Sequence, residues 1–71
     1  MKAEKLTMMA NQIASFFKAQ GVAGAPEGVA DHLRKFWDPL MRRELCQLAS
    51  QAGHGLDPVV VRATELLSAR G

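Results

Sequence analysis

Apolar side chains recur along this chain at spacings of three and four residues, the period of a helix with one buried face. Leu6, Met9, Ile13, Phe16, Phe17 and Gln20 form one such stripe, with five of the six positions apolar, and predict a first helix over 3–20. Gly21 supplies a left-handed stop, and residues 21–25 read as a connector of small side chains. Pro26 suits a first helical position, where its missing N–H is not needed, and Glu27 follows at the positive end of the helix dipole. A second helix over 26–37 then carries Val29, Leu33, Phe36 and Trp37 on its core face and Asp31, Arg34 and Lys35 on the other.

Asp38-Pro39 is the sharpest local feature, because proline disfavours helical geometry at the residue before it while aspartate caps the helix that follows. The chain is expected to bend there. In the third helix, 39–52, Met41, Leu45, Leu48 and Ala52 share a face, leaving Arg42, Arg43 and Gln47 to water or a partner. After a Gly53-His54-Gly55 turn, Asp57 reads as a cap, Pro58 as the first helical residue, and Leu56 with Val61 as a hydrophobic staple, predicting a fourth helix over 57–69. Val59-Val60-Val61 favours a strand in isolation, yet three residues with no pairing partner build no sheet. The expected fold is all-α, a small bundle of three to four short helices in a single domain over 1–71.

Composition narrows the function classes. With 71 residues, 48% of them apolar, the chain has room for one small core and falls outside the disordered class. Cys46 is alone, so no internal disulfide reinforces that core, which favours a reducing compartment. No stretch is long and apolar enough to span a bilayer, and Lys2, Glu4 and Lys5 are not followed by the apolar run of a secretory signal. A cytoplasmic protein is expected. Net charge is +2, which permits an acidic partner surface but falls well short of a nucleic-acid binder's charge density.

Candidate chemistry is sparse. Cys46 with His32 or His54 would make a nucleophile and base only if the fold brought them together, and those three residues are too few and too scattered for the usual four-ligand zinc site. No glycine-rich phosphate loop follows a strand, so 21–28 reads as a linker. Residues 32–43 differ: His32, Phe36, Trp37, Asp38, Pro39, Met41 and Arg42 gather aromatic, cationic and hinge-forming residues around one bend. Taken singly, each has an ordinary role as core, cap or solvated charge. Together they suggest a docking edge, since Trp and Arg offer large contact area with directional donors.

Two blocks of the chain also resemble a known family, the delta subunit of bacterial NAD-dependent, molybdenum-containing formate dehydrogenases. MANQIASFF, Met9 to Phe17, is similar to that family's N-terminal helix, and DHLRKFWDPLMRREL, Asp31 to Leu45, to its central motif. Leu40 stands where the family pattern has a basic residue. The resemblance implies a noncatalytic accessory subunit without a redox centre of its own. Its partners in the complex would be an alpha subunit carrying molybdopterin guanine dinucleotide and iron–sulfur clusters, and further subunits carrying FMN and more clusters. On this reading the chain docks on the alpha (catalytic) subunit and stabilises its cofactor-loaded state. His32, Phe36, Trp37, Asp38, Pro39, Met41 and Arg42 are the expected partner-binding residues, with Trp37 as apolar anchor and Arg42 as polar contact. Two alternatives stand beside it: a small DNA-binding module using the second and third helices with Arg42 and Arg43 toward phosphates, and a self-associating bundle pairing the Phe16, Trp37 and Leu67 faces. An isolated subunit would also dimerise to cover its docking face.

Overall fold

A computed structural model of the chain describes residues 2–69. Over them the fold is all-α: α1 (Ala3–Gln20), a 3-10 turn (Val22–Gly24), α2 (Ala25–Phe36), α3 (Pro39–Ala49) and α4 (Pro58–Ala69). No strand occurs among the described residues, and Val59, Val60 and Val61 are helical.

Local chemistry accounts for most of the helix ends. The Gly21 N–H donates to Phe17 O at 3.2 Å and closes α1. With φ +155° and ψ 115°, Gly21 adopts a backbone that side-chain-bearing residues rarely reach, though not the left-handed stop its composition suggests. The connector is also shorter than expected, since the 3-10 turn occupies 22–24 and Ala25 is already helical and buried. At the bend, Trp37 and Asp38 are both extended, the Trp37 N–H donates to Leu33 O at 3.0 Å, and Asp38 Oδ1 accepts from Met41 N–H at 2.8 Å. This ends α2 at Phe36, one residue short of expectation. α3 stops three residues before its expected end because Ser50 N–H donates back to Gln47 O, as Gln51 N–H does to Leu48 O, tightening the last turn. Ala52, expected on the apolar face of that helix, is exposed. Gly53 and Gly55, with φ +73° and +74°, carry the turn, and Asp57 caps α4 from outside it by accepting Val59 N–H at Oδ1 (2.8 Å).

The second helix is the centre of the packing, lying mainly against α4 and α1, while α3 packs chiefly on α4. Leu6, Ala10 and Ala14 from α1 meet Val29, Ala30 and Leu33 from α2, Leu45 from α3, and Val60 and Ala63 from α4. The alanines are fully buried, whereas Phe16 and Phe36, expected in the core, are 60% and 72% exposed. On α1 the buried line runs through Leu6, Ala10 and Ala14, and Phe16 lies about 120° round the helix from Ala10. Gly28 shows how little space remains: a Cβ there would come within 2.6 Å of the Phe17 ring.

Polar contacts tie α1 to the start of α4. Asn11 Nδ2 donates to Gly55 O (3.0 Å) while its Oδ1 accepts from Asp57 N–H (2.8 Å). About two turns further along α1, Lys18 Nζ pairs with Asp57 Oδ2 at 2.6 Å. The Lys18 hydrogen bond, assisted by the Val59 N–H and the lysine charge and opposed by burial, holds the Asp57 carboxyl below its ordinary value of 3.8.

Two outcomes are expected. Gly28→Val should destabilise the chain by about 1 kcal/mol or more, since overpacking costs about 1–3 kcal/mol and the helix-propensity gain is only about 0.5 kcal/mol; urea midpoints check this, and an unchanged midpoint would mean that the Phe17 ring moves freely. The Asp57 carboxylate, whose folded-state pKa is depressed, contributes stability that is present above about pH 3.8 and is lost as pH falls through its lower folded value. Lys18→Met should therefore flatten the acid limb of stability against pH below that point, by a small amount because Lys18 is 39% exposed and screened by solvent.

Candidate protein-docking surface

Where α1 and α2 meet, four rings form a continuous row. Phe16 and Phe17 lie edge to face with centroids 5.2 Å apart, Phe17 meets His32 at 6.2 Å, and His32 meets Phe36 at 4.8 Å. The last pair is a consequence of helix geometry, because residues four apart share a face. The two inner rings, Phe17 and His32, are half-buried and the two outer ones project into solvent. Beside the row runs an open groove of about 390 Å³. Met9, Gln12 and Ile13 line it with both phenylalanines of α1, facing His32 and Trp37, and no Asp, Glu, Lys or Arg among the described residues contributes. Leu40, on the far side of the bend, is 61% exposed.

The residues expected to bind a partner therefore separate by depth. Phe36, Asp38 and Pro39 are exposed; His32, Met41 and Arg42 are half-buried. Trp37 is only 7% exposed and belongs to the chain's own core cluster, so its indole supports the groove from beneath instead of projecting as an anchor. That follows from its extended backbone, which swings it off the end of α2 and over the core while Phe36, still helical, points outward. Phe16 is the contributor that periodicity misplaced: it fits a stripe built from large residues only, and the alanines that redefine the buried face have too little hydrophobicity to stand out. Treating Ala10 and Ala14 as core positions would have exposed it.

On the other side of the bend a second groove, of about 550 Å³, opens between α2, α3 and α4. Arg34, Arg42 and Arg43 line it, together with Pro39, Cys46 and Leu67. Arg42, expected to be free, is half-buried, and its Nε is enclosed with no hydrogen-bond partner among the described residues. The Cys46 thiol lies 3.9 Å from Thr64 O, to which it donates. His54 is engaged elsewhere, its Nδ1 accepting from Leu56 N–H at 2.9 Å. Cys46, His32 and His54 thus occupy separate environments, and among the described residues no group of three or more His, Cys, Asp and Glu is gathered to hold a metal ion. No described helix is long and apolar enough to cross a membrane.

The family model described as "NADH-dependant formate dehydrogenase delta subunit FdsD" matches residues 5–64. No curated protein and no solved structure matches the chain. The family match spans most of the 71 residues and includes both the aromatic row and the bend, and the chain belongs to that family.

Proposed function

We propose that this formate dehydrogenase delta subunit is a noncatalytic docking subunit, which binds the molybdenum-carrying alpha subunit of a cytoplasmic NAD-dependent complex and stabilises its assembled, cofactor-loaded state. The observation that carries the reading is the pair of exposed rings, Phe16 at 60% on the wall of an apolar groove and Phe36 at 72% stacked on its His32, with no charged residue among the described lining. Large aromatic side chains beside a desolvatable groove are the usual hot spots of protein interfaces. A standard interface buries roughly 800 Å² per partner. The chain exposes 4502 Å² in all, so one such footprint has room for the row and the neighbouring bend.

Within that footprint Phe36 and Phe16 insert, Phe17 and His32 fill the space between, Trp37 braces the groove floor, Met41 packs behind it against the core, and Asp38-Pro39 sets the direction in which α3 and Arg42 leave it. Stabilisation is by mass action, since a subunit that binds only the loaded, folded state of its partner shifts the equilibrium toward that state. Molybdopterin guanine dinucleotide, iron–sulfur clusters and FMN belong to the partner complex on this reading. This chain's residues do not fit an iron–sulfur cluster: its single thiol, Cys46, is engaged with Thr64 O, and a cluster is normally held by four thiolates. Purified without its partner, the subunit is expected to pair through the same aromatic row with a second copy.

Coexpression with the alpha subunit tests the proposal. Phe16→Ala with Phe36→Ala should weaken copurification by at least about 30-fold in Kd, corresponding to about 2 kcal/mol for a hot spot, and should shorten the half-life of formate oxidation on dilution. Both side chains are exposed, so the helical circular dichroism of the variant should match the parent. Full association of the double variant would remove the row from the interface.

A further inference from the structure

We propose that the groove between α2, α3 and α4 is a second contact site, which takes the carboxylates of an acidic peptide segment of the protein partner. The inference rests on the docking role above and adds the chemistry of what is docked. Three arginines, Arg34, Arg42 and Arg43, line this groove, and no acidic residue among the described ones does.

Four of the seven carboxylate side chains are engaged elsewhere, and the other three are outside the groove's lining. Asp31 pairs with Lys35, Asp57 with Lys18 and Glu65 with Arg62. Asp38 caps α3 through Met41 N–H. Glu4 and Glu27 lie in the first turns of α1 and α2. Glu44 follows Arg43 directly, and residues one or two apart on a helix do not face each other. Among the described residues these three like charges have no paired counter-charge, an arrangement that favours an incoming carboxylate.

Arg42 sharpens the point. A buried donor without a partner carries a desolvation cost that a hydrogen bond would remove, and the Arg42 Nε–H is such a donor. Because Nε is enclosed, a carboxylate reaches it only when the Arg42 side chain turns toward the groove; it then accepts from Nε–H and from an Nη–H together, the bidentate arrangement that arginine favours. Arg34 is partly committed, since one of its Nη atoms donates to Leu66 O near the end of α4 at 3.5 Å, which leaves Arg42 and Arg43 as the principal contacts. A peptide fits better than a lone anion because the groove, at about 550 Å³, has apolar walls in Pro39, Cys46 and Leu67 against which the methylenes of a glutamate would pack.

The test uses the full chain, uniformly labelled with nitrogen-15, titrated with acetylated and amidated tetraglutamate while the arginine Nε–H signals are followed by NMR. The Arg42 and Arg43 signals should move and saturate, tetraglutamine should leave them in place, and raising the salt from about 50 mM to about 500 mM should weaken the response. Arg42→Gln should weaken tetraglutamate binding by about tenfold or more. Arg43→Gln, at an exposed position that leaves the fold intact, should weaken it in the same direction. An unmoved Arg42 signal, or an equal response to inorganic phosphate, overturns the acidic-segment site. Copurification with the alpha subunit separates the two readings: retained association with no tetraglutamate response sinks the groove alone, whereas a tetraglutamate response without association sinks docking on that subunit and leaves the groove.

Discussion

The close approach of α1, α2 and α4 through alanine and glycine is the constraint on which the rest of the structure depends. Ala10, Ala14, Ala25, Ala30 and Ala63 are at most 1% exposed, and Gly28 faces the Phe17 ring with no room for a methyl group. Helices that meet through such small side chains leave no volume between them for a phenyl ring. Phe16 and Phe36 are consequently expelled to the surface, where Phe16 walls the groove and Phe36 lies against its His32. The same choice limits stability. Burying an alanine methyl removes far less apolar area from water than burying a leucine or phenylalanine side chain, and a chain of this size has little core to spare. The large aromatic surface that the core declines becomes the surface with most to gain from a partner.

Polar ties offset part of that deficit. Asn11 holds both Gly55 O and Asp57 N–H, groups 44 and 46 residues away in sequence, and Lys18 reaches the Asp57 carboxylate from the same helix. Asp57 therefore does three things at once: it caps α4, accepts from Lys18, and gives its backbone N–H to Asn11. A cap gripped from across the fold fixes where α4 begins, and α4 is the main packing partner of both α2 and α3. The aromatic row and the arginine groove are each built between helices, so both inherit their geometry from this joint.

The two surfaces differ in chemistry for a reason that lies in the bend. Trp37 and Asp38, both extended, carry the chain off the end of α2, so Trp37 turns over the core and α3 departs with its arginines toward α4. One side of the bend is left uncharged and aromatic, the other cationic. An apolar row supplies most of its binding free energy through desolvation, while a cationic groove supplies orientation and encounter rate. On the proposed docking role, that combination would let a small subunit recognise a much larger partner.

Helix class, helix starts and family were legible in the residues themselves. Asp38-Pro39 and Asp57-Pro58 encode their caps within three residues, and such contacts form wherever the local backbone allows them. Family membership was legible for a similar reason, because Met9 to Phe17 and Asp31 to Leu45 are contiguous blocks that need no folding to be read. Sidedness was not. Whether Phe16, Phe36 or Trp37 faces inward depends on which neighbouring helix presents alanine, and the early end of α3 depends on Ser50 and Gln51 turning back to Gln47 O and Leu48 O. The enclosed Arg42 Nε likewise exists only once α2, α3 and α4 have converged. Local hydrogen bonds are decided by neighbours in the chain; burial is decided by neighbours in space, and those are assigned only when the helices pack.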